Sequence, residues 1–236
     1  MTKLAPAAKR VVACKICFGF MTNTRTIPDQ RRSPHTPRLS SVPATPHTHH
    51  VLETSFAPPF PEGFEVAVVG MGCFWGAERR YWKIDGVTNT SVGYMGGTTA
   101  NPSYEAVCTG ATGHAEMVRV EFDPAVVSYR RLLEEFWTMH DPTSLNAQGG
   151  DIGTQYRSAI YTTTPAQMTE ALATKELYQG ALTADGIGPI VTEILSASGV
   201  EYYLAEEYHQ KYLAKNPNGY DCHSSTGTAF PQGASI

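Results

Sequence analysis

The segment Gly70-Met71-Gly72-Cys73-Phe74-Trp75-Gly76 sets one thiol where an apolar run ends and an amphipathic stretch begins. A cysteine at a strand-to-helix turn lies in the positive end of the helix dipole, among backbone N–H groups that have no intrahelical partner, and both favour the thiolate. Cys73 is therefore a candidate nucleophile; its plain alternative is a small buried hydrophobe. In Gly113–Phe122 a period of two aligns His114 and Glu116 with Val118, Val120 and Phe122 on one face of a strand. Glu116 then points into apolar surroundings, where burial raises the pKa of a carboxyl and equips it as a general acid near neutral pH. The bland reading is a half-exposed glutamate at a strand mouth. Tyr104 and Tyr156 can offer hydroxyl donors, and Asp151, in the loop Gly149–Gly153, can orient them; ordinary packing is the alternative for all three. Cys222, in the glycine-containing end Asn218–His223, can bring a second thiol to Cys73 or belong to a frayed terminus.

Other chemistries compete for the same residues. Gly70-x-Gly72-x-x-x-Gly76 after a strand has the look of a dinucleotide fingerprint, but Phe74 and Trp75 fill the turn that a pyrophosphate must approach, and no acid ends the following strand. Cys73, His114 and Asp151 can be cast as nucleophile, base and orienter of a cysteine hydrolase or acyltransferase, which requires His114 within hydrogen-bond reach of Cys73. Cys108, His114, Cys222 and His223 can be cast as a zinc-binding interaction module, on long and irregular spacings.

The elements that must position these residues alternate. Glu65–Met71 reads as a buried strand running into a helix over Trp75–Lys83. Val87–Tyr94 and His114–Phe122 read as strands, Ser128–Met139 as a helix with Leu132, Leu133, Phe136 and Met139 on one face, and Tyr156–Thr163 as a strand. Thr164, Pro165 and Gln167 supply an N-cap, a first-turn proline and a capping-box residue for the next helix. Ile190–Ser196 is expected as a strand, Tyr203–Ala214 as a helix, and residues 216–236 as an irregular tail. This order gives an α/β chain in which a sheet is covered by helices.

The chain has 236 residues, 42% hydrophobic and 17% charged, with 21 Gly and 16 Pro, which excludes collagen-like, fully disordered and coiled-coil classes. Five cysteines are too few for a disulfide-stapled secreted scaffold, so a reducing compartment is expected. No apolar run reaches the eighteen or so residues of a spanning helix. Charge divides the chain: residues 1–50 carry 8 Lys/Arg and one acid, residues 51–236 carry 10 Lys/Arg and 21 acids. Residues 1–50 also hold six of the prolines and four of the eight histidines, and read as a disordered basic tail ahead of a catalytic domain over 51–236. The Cys14-x-x-Cys17 pair lies in that tail with no partner motif nearby. An acidic body argues against nucleic-acid binding. The expected location is the cytoplasm, with the basic start leaving an organelle address open.

Five segments carry a specific resemblance: GCFWGAE at Gly72–Glu78, SVGYMGG at Ser91–Gly97, NPSYEAVCTGATGHAE at Asn101–Glu116, HDPTSLNAQGGDIGTQYRSAIY at His140–Tyr161 and AEEYHQKYLAKNPNGY at Ala205–Tyr220. Together they resemble the A-type peptide methionine sulfoxide reductases from about Glu65 to Tyr220. The resemblance implies a ferredoxin-like two-layer sandwich and reduction of the S epimer of methionine sulfoxide, free or in oxidised proteins. It implies Cys73 as nucleophile, Glu116 as proton donor, Phe74 and Trp75 as the methyl pocket, and Tyr104, Asp151 and Tyr156 as polar partners of the sulfoxide oxygen. It further implies regeneration through a disulfide by thioredoxin, or by dithiothreitol in its place, with no metal or organic cofactor, in a chain expected to be a monomer. Many members carry a cysteine directly after the C-terminal Gly-Tyr, whereas here Asp221 intervenes and Cys222 follows, with no later cysteine. Cys222 is thus the C-terminal candidate for resolving a sulfenic acid, and Cys108 its competitor. Gly150 stands where the family commonly has Asn.

Overall fold

Every residue from Ala67 to Met71 is buried, because this strand, β1 (Glu65–Met71), lies in the middle of a sheet with a neighbour on each side. A strand covered on both faces needs apolar side chains at successive positions, and VAVVGM supplies them. The structure, a computed structural model, describes residues 51–52, 63–221 and 224–233. The basic tail 1–50 and Cys222 lie outside the described residues.

After β1 the chain enters α1 (Phe74–Tyr81) and returns as β2 (Val87–Met95). A short helix α2 (Tyr104–Cys108) leads to β3 (Ala115–Phe122), which pairs antiparallel with both β1 and β2. Helix α3 (Tyr129–Met139) follows, capped by Ser128, whose side chain accepts from Arg131 N. The two-residue strands β4 (Ala147–Gln148) and β5 (Asp151–Ile152) form a hairpin around Gly149-Gly150. Strand β6 (Ser158–Thr162) then pairs antiparallel with β1. The strand order β6-β1-β3-β2 with two crossing helices is the βαββαβ arrangement of ferredoxin-like folds. Helix α4 (Pro165–Ala184) and β7 (Glu193–Ser196), parallel to β6, extend one edge; β8 (Tyr202–Leu204), antiparallel to β2, extends the other. A final turn of helix, α5 (Tyr212–Lys215), packs against α1.

The pleat sorts side chains between two cores. Val69, Val118, Val120 and Phe122 meet Tyr81, Leu133, Phe136 and Trp137 of the helices. On the opposite face Val68, Met95, Ala115, Met117 and Tyr161 form a smaller cluster, covered by the connection that carries Ala197 and Val200. Glu116, in step with Val118, therefore faces the helix layer, as the period of two requires.

Of the expected helix over Tyr203–Ala214 only the last turn, within α5, is formed. Its first residues pair with β2 instead, Leu204 opposite Gly93 and Tyr203 opposite Tyr94, and Lys211 adopts φ +54, which no right-handed helix accommodates. Two expected strands begin late: β6 after a 3₁₀ turn at Thr154–Tyr156, and the other at Glu193. At Thr164 the N-cap bond to Gln167 N is present, but the Gln167 side chain reaches back to Thr163 N, one residue earlier than in a capping box. Phe136 is fully buried where α3 meets the sheet. Phe136→Ala is expected to destabilise the fold by about 3–5 kcal/mol, read as a lower urea midpoint with an unchanged slope.

Candidate active site

The turn between β1 and α1 is built on Gly72, whose φ of +86° favours glycine and whose missing side chain makes room for Gln148. A Cβ at Gly72 would stand 2.5 Å from the Gln148 Cβ. Gln148 is fully buried and held by Asp141, accepting from its backbone N at 2.9 Å and donating to its carbonyl at 3.1 Å. Cys73 is thereby fixed as the residue capping α1, with φ −55° and ψ 121°, 4% exposed. Its side chain makes no cap hydrogen bond to the helix, and the sulfur stands at the positive end of α1.

Glu116 reaches across from the start of β3. Its Oε2 accepts from the backbone N–H of Phe74, the residue after Cys73, at 3.0 Å, and the residue is 2% exposed. Burial pushes its pKa up to about 8; the charge of Asp151 acts the same way, and the Phe74 N–H works against both. The acid is neutral at pH 7, and with Oε2 on the helix amide, Oε1 is the oxygen that can present the proton.

The rest of the pocket is aromatic. Phe74 lies 5.9 Å from the Tyr94 ring and 5.0 Å from the imidazole of His209. The Trp75 indole stacks on Tyr212 at 3.7 Å and 15°, and its Nε1–H donates to His209 Nδ1 at 2.9 Å. Tyr104 lies 4.5 Å from the same imidazole. Burial lowers the His209 pKa to about 4, against the opposing charges of Glu206 and Glu105, so the ring is neutral. With Nδ1 accepting, Nε2 carries the hydrogen; Glu206 Oε2 lies 3.9 Å from it. Glu206 also accepts from the Tyr94 hydroxyl at 2.7 Å and from the Tyr104 backbone N at 2.8 Å.

Glu116 thus meets the amide next to Cys73, and Phe74, Trp75 and Tyr104 all pack on the His209 ring. Asp151 is 5% exposed, its charge reaches Glu116, and its Oδ1 accepts from the Tyr220 hydroxyl at 3.3 Å. Tyr156 is 1% exposed and packs in the same core cluster as Cys73 and Trp75. Cys108 ends α2, one turn beyond Tyr104, and is half-buried. Cys222 lies outside the described residues, but Asp221 before it is ion-paired with Arg79 of α1. His114 is not available as a base: its Nδ1 accepts from Gly97 N at 3.1 Å and its Nε2 donates to the Thr99 carbonyl at 2.7 Å, which removes the cysteine hydrolase arrangement. His209, Glu206, Tyr212 and Gln148 escaped the reading of residues. The first three sit in the stretch taken for a helix, where a buried His-Gln-Lys run was the signal that the segment is not a plain amphipathic helix.

A thiol at a helix entrance beside a buried carboxyl and a cluster of aromatic rings is an arrangement able to support thiol chemistry. The family model described as peptide methionine sulfoxide reductase matches residues 65–232. A peptide methionine sulfoxide reductase, MsrA 1, of Synechocystis is 52% identical over 200 residues, 85% of this chain and 89% of that protein. The human mitochondrial peptide methionine sulfoxide reductase is 54% identical over 185 residues, 78% of either chain. The solved methionine sulfoxide reductase A of Corynebacterium diphtheriae superposes with a TM-score of 0.69 at 46% identity, covering 79% of this chain and 91% of that one. The chain belongs to the peptide methionine sulfoxide reductase family, and it is an oxidoreductase of the MsrA type.

Two outcomes follow from the geometry. Gly72→Ala forces both a positive φ on alanine and a clash with Gln148, and is expected to lower turnover at least about 100-fold by displacing Cys73. Iodoacetamide alkylation of Cys73 at an unchanged rate would refute the displacement. Because the folded pKa of Glu116 lies above its ordinary 4.5, its neutral form favours folding below pH 4.5, and that contribution is lost as pH rises to about 8. The unfolding free energy of Glu116→Gln minus that of the parent should climb between pH 5 and 8, by up to about 4 kcal/mol, and level off above. A flat difference over pH 5–9 would contradict a buried neutral acid.

Proposed function

We propose that residues 51–236 are a catalytic domain that reduces the S epimer of methionine sulfoxide, free or in proteins, with Cys73 as nucleophile and Glu116 as proton donor. The observation that carries this reading is the Glu116 carboxyl, neutral at pH 7 and bonded to the amide next to Cys73. The Cys73 thiolate attacks the sulfoxide; Glu116 gives its proton to the oxygen as the S–O bond of the substrate breaks. The S–S bond formed in the attack breaks as the protonated oxygen passes to the Cys73 sulfur, so that methionine departs, Cys73 holds a sulfenic acid, and Glu116 is left as a carboxylate to be reprotonated. Phe74 and Trp75 wall the methyl group, a favourable sulfur-aromatic environment. Tyr104, Asp151 and Tyr156 complete the polar side that receives the oxygen. Separate places for nucleophile, methyl and oxygen around one tetrahedral sulfur admit a single hand.

The Cys222 thiol then condenses with the sulfenic acid, releasing water and forming a disulfide. Support comes from the chain just before it: Asp221 is paired with Arg79 of α1, and Tyr220 with Asp151. An external dithiol, thioredoxin in the cell, reopens the disulfide by exchange. Neither metal nor organic cofactor enters the scheme. Oxidised proteins are the substrates, repair is the role, the chain works as a monomer in the cytoplasm, and among the described residues no helix is long and apolar enough to cross a membrane.

With dithiothreitol as reductant, separated S and R epimers of a peptide methionine sulfoxide should give turnover for S alone, abolished in Cys73→Ser; equal turnover of both epimers, or activity in Cys73→Ser, would overturn the proposal. Glu116→Gln is expected to lower kcat/KM about 10²–10⁴-fold and to remove the decline expected of the parent above about pH 8. Persistence of that alkaline decline in the variant would assign it to another group. In Cys222→Ser, dimedone should trap the sulfenic acid and multi-turnover with thioredoxin should fail; full turnover would transfer the resolving role away from Cys222.

A further inference from the structure

His209, Gln210 and Lys211 are 0%, 4% and 1% exposed, a rare fate for three polar side chains in succession. Each is tied to a different anchor. His209 holds the Trp75 indole. Gln210 stands in for backbone at the edge of β2, its Oε1 accepting from Val92 N at 2.9 Å and its Nε2 donating to Val92 O at 2.8 Å and Ala205 O at 2.9 Å. Lys211 donates its backbone N–H to Glu78 Oε2 at 2.9 Å and its ammonium to Glu78 Oε1 and to the Thr90 carbonyl. Glu78 is itself fully buried and accepts from Thr90 Oγ1 at 3.1 Å.

A buried ion pair is a poor source of stability, because desolvating both charges offsets most of their attraction. What this pair does well is fix a distance. Glu78 is on α1 one turn beyond Phe74 and Trp75, and Lys211 sits between His209 and Tyr212. The two chain segments that carry the aromatic side chains are therefore pinned together behind them, and Trp75 and Tyr212 stack at 3.7 Å in front of the pin.

We propose that Glu78 and Lys211 are positioning residues that set the width of the pocket, so that it accepts a methyl sulfoxide and disfavours a larger S-alkyl group. The inference rests on the proposed reduction of methionine sulfoxide. Neither residue touches substrate; both act through Trp75, His209 and Tyr212. Loosening the pin lets the outer wall recede, which weakens contact with a methyl group and relieves the clash with an ethyl group.

The test compares kcat/KM for peptide S-sulfoxides of methionine and of ethionine, with dithiothreitol as reductant. The proteins are the full-length parent, Glu78→Gln, Lys211→Met, the double variant Glu78→Gln/Lys211→Met, and Lys215→Ala as a control whose pair with Glu207 is exposed. A methylene in an apolar pocket is worth about 10–200-fold, so the parent should prefer the methyl substrate at least about 10-fold, as should Lys215→Ala. The pair variants should fall to about 2-fold, chiefly through a higher KM for the methyl substrate, with kcat changed less than about 3-fold. The double variant leaves no unpaired buried charge and carries the test if a single variant does not fold. A general loss of stability would depress both substrates together and leave their ratio fixed. An unchanged ratio in the double variant, with Cys73 alkylated by iodoacetamide at the parental rate, overturns the inference while the reductase reading stands. A parent without activity on methionine sulfoxide overturns both.

Discussion

The site depends on one hydrogen bond, from the Phe74 amide to the Glu116 carboxyl, made where water is excluded. The first-turn N–H groups of a helix attract negative charge, and left alone they would favour the ionised acid. Burial is the stronger influence here and keeps the acid neutral. The carboxyl is consequently both anchored and protonated. It is anchored to the backbone that carries Cys73, so any motion of the turn moves thiol and acid together.

The sheet makes that meeting inevitable. In a ferredoxin-like order β3 lies between β1 and β2, so the strand bearing Glu116 runs beside the strand that delivers Cys73. The pleat then decides which side Glu116 faces, and Val118 and Val120 commit it to the helix layer where α1 begins. The hairpin β4–β5 wedges from outside: Gln148 fills the gap under Gly72, and its neighbour across the hairpin is Asp151. One small hairpin so supports the turn that carries Cys73 and contributes a charge that acts on the acid.

Much of this was legible in the residues. The strand periods around Val69 and Val118, the cap at Thr164 and the glycines around Cys73 are local signals, and the elements they predict are present. The segment 203–214 was misread for a physical reason: Tyr203, Leu204, Tyr208 and Tyr212 recur at near-helical spacing, but the open edge of β2 offers hydrogen bonds that only the fold reveals. Side chains of Gln210 and Lys211 compete for those same backbone groups, and no propensity scale registers such long-range partners. The wall that His209 and Tyr212 build could not be read without them. The β4–β5 hairpin, two residues to a strand, is too short for any periodicity to announce, although Gly149-Gly150 marks its turn.

The edge of β2 has one further consequence. From Met95 to Gly93 its backbone pairs with β8; at Val92 the partners are Ala205 and the amide of Gln210, and at Thr90 the ammonium of Lys211 takes the carbonyl. An open strand edge is a template for any extended chain that meets it, and cross-chain pairing there is how aggregates nucleate. Side chains rather than a longer strand close that margin, and they leave the Val92 and Thr90 carbonyls occupied where an incoming chain would need them.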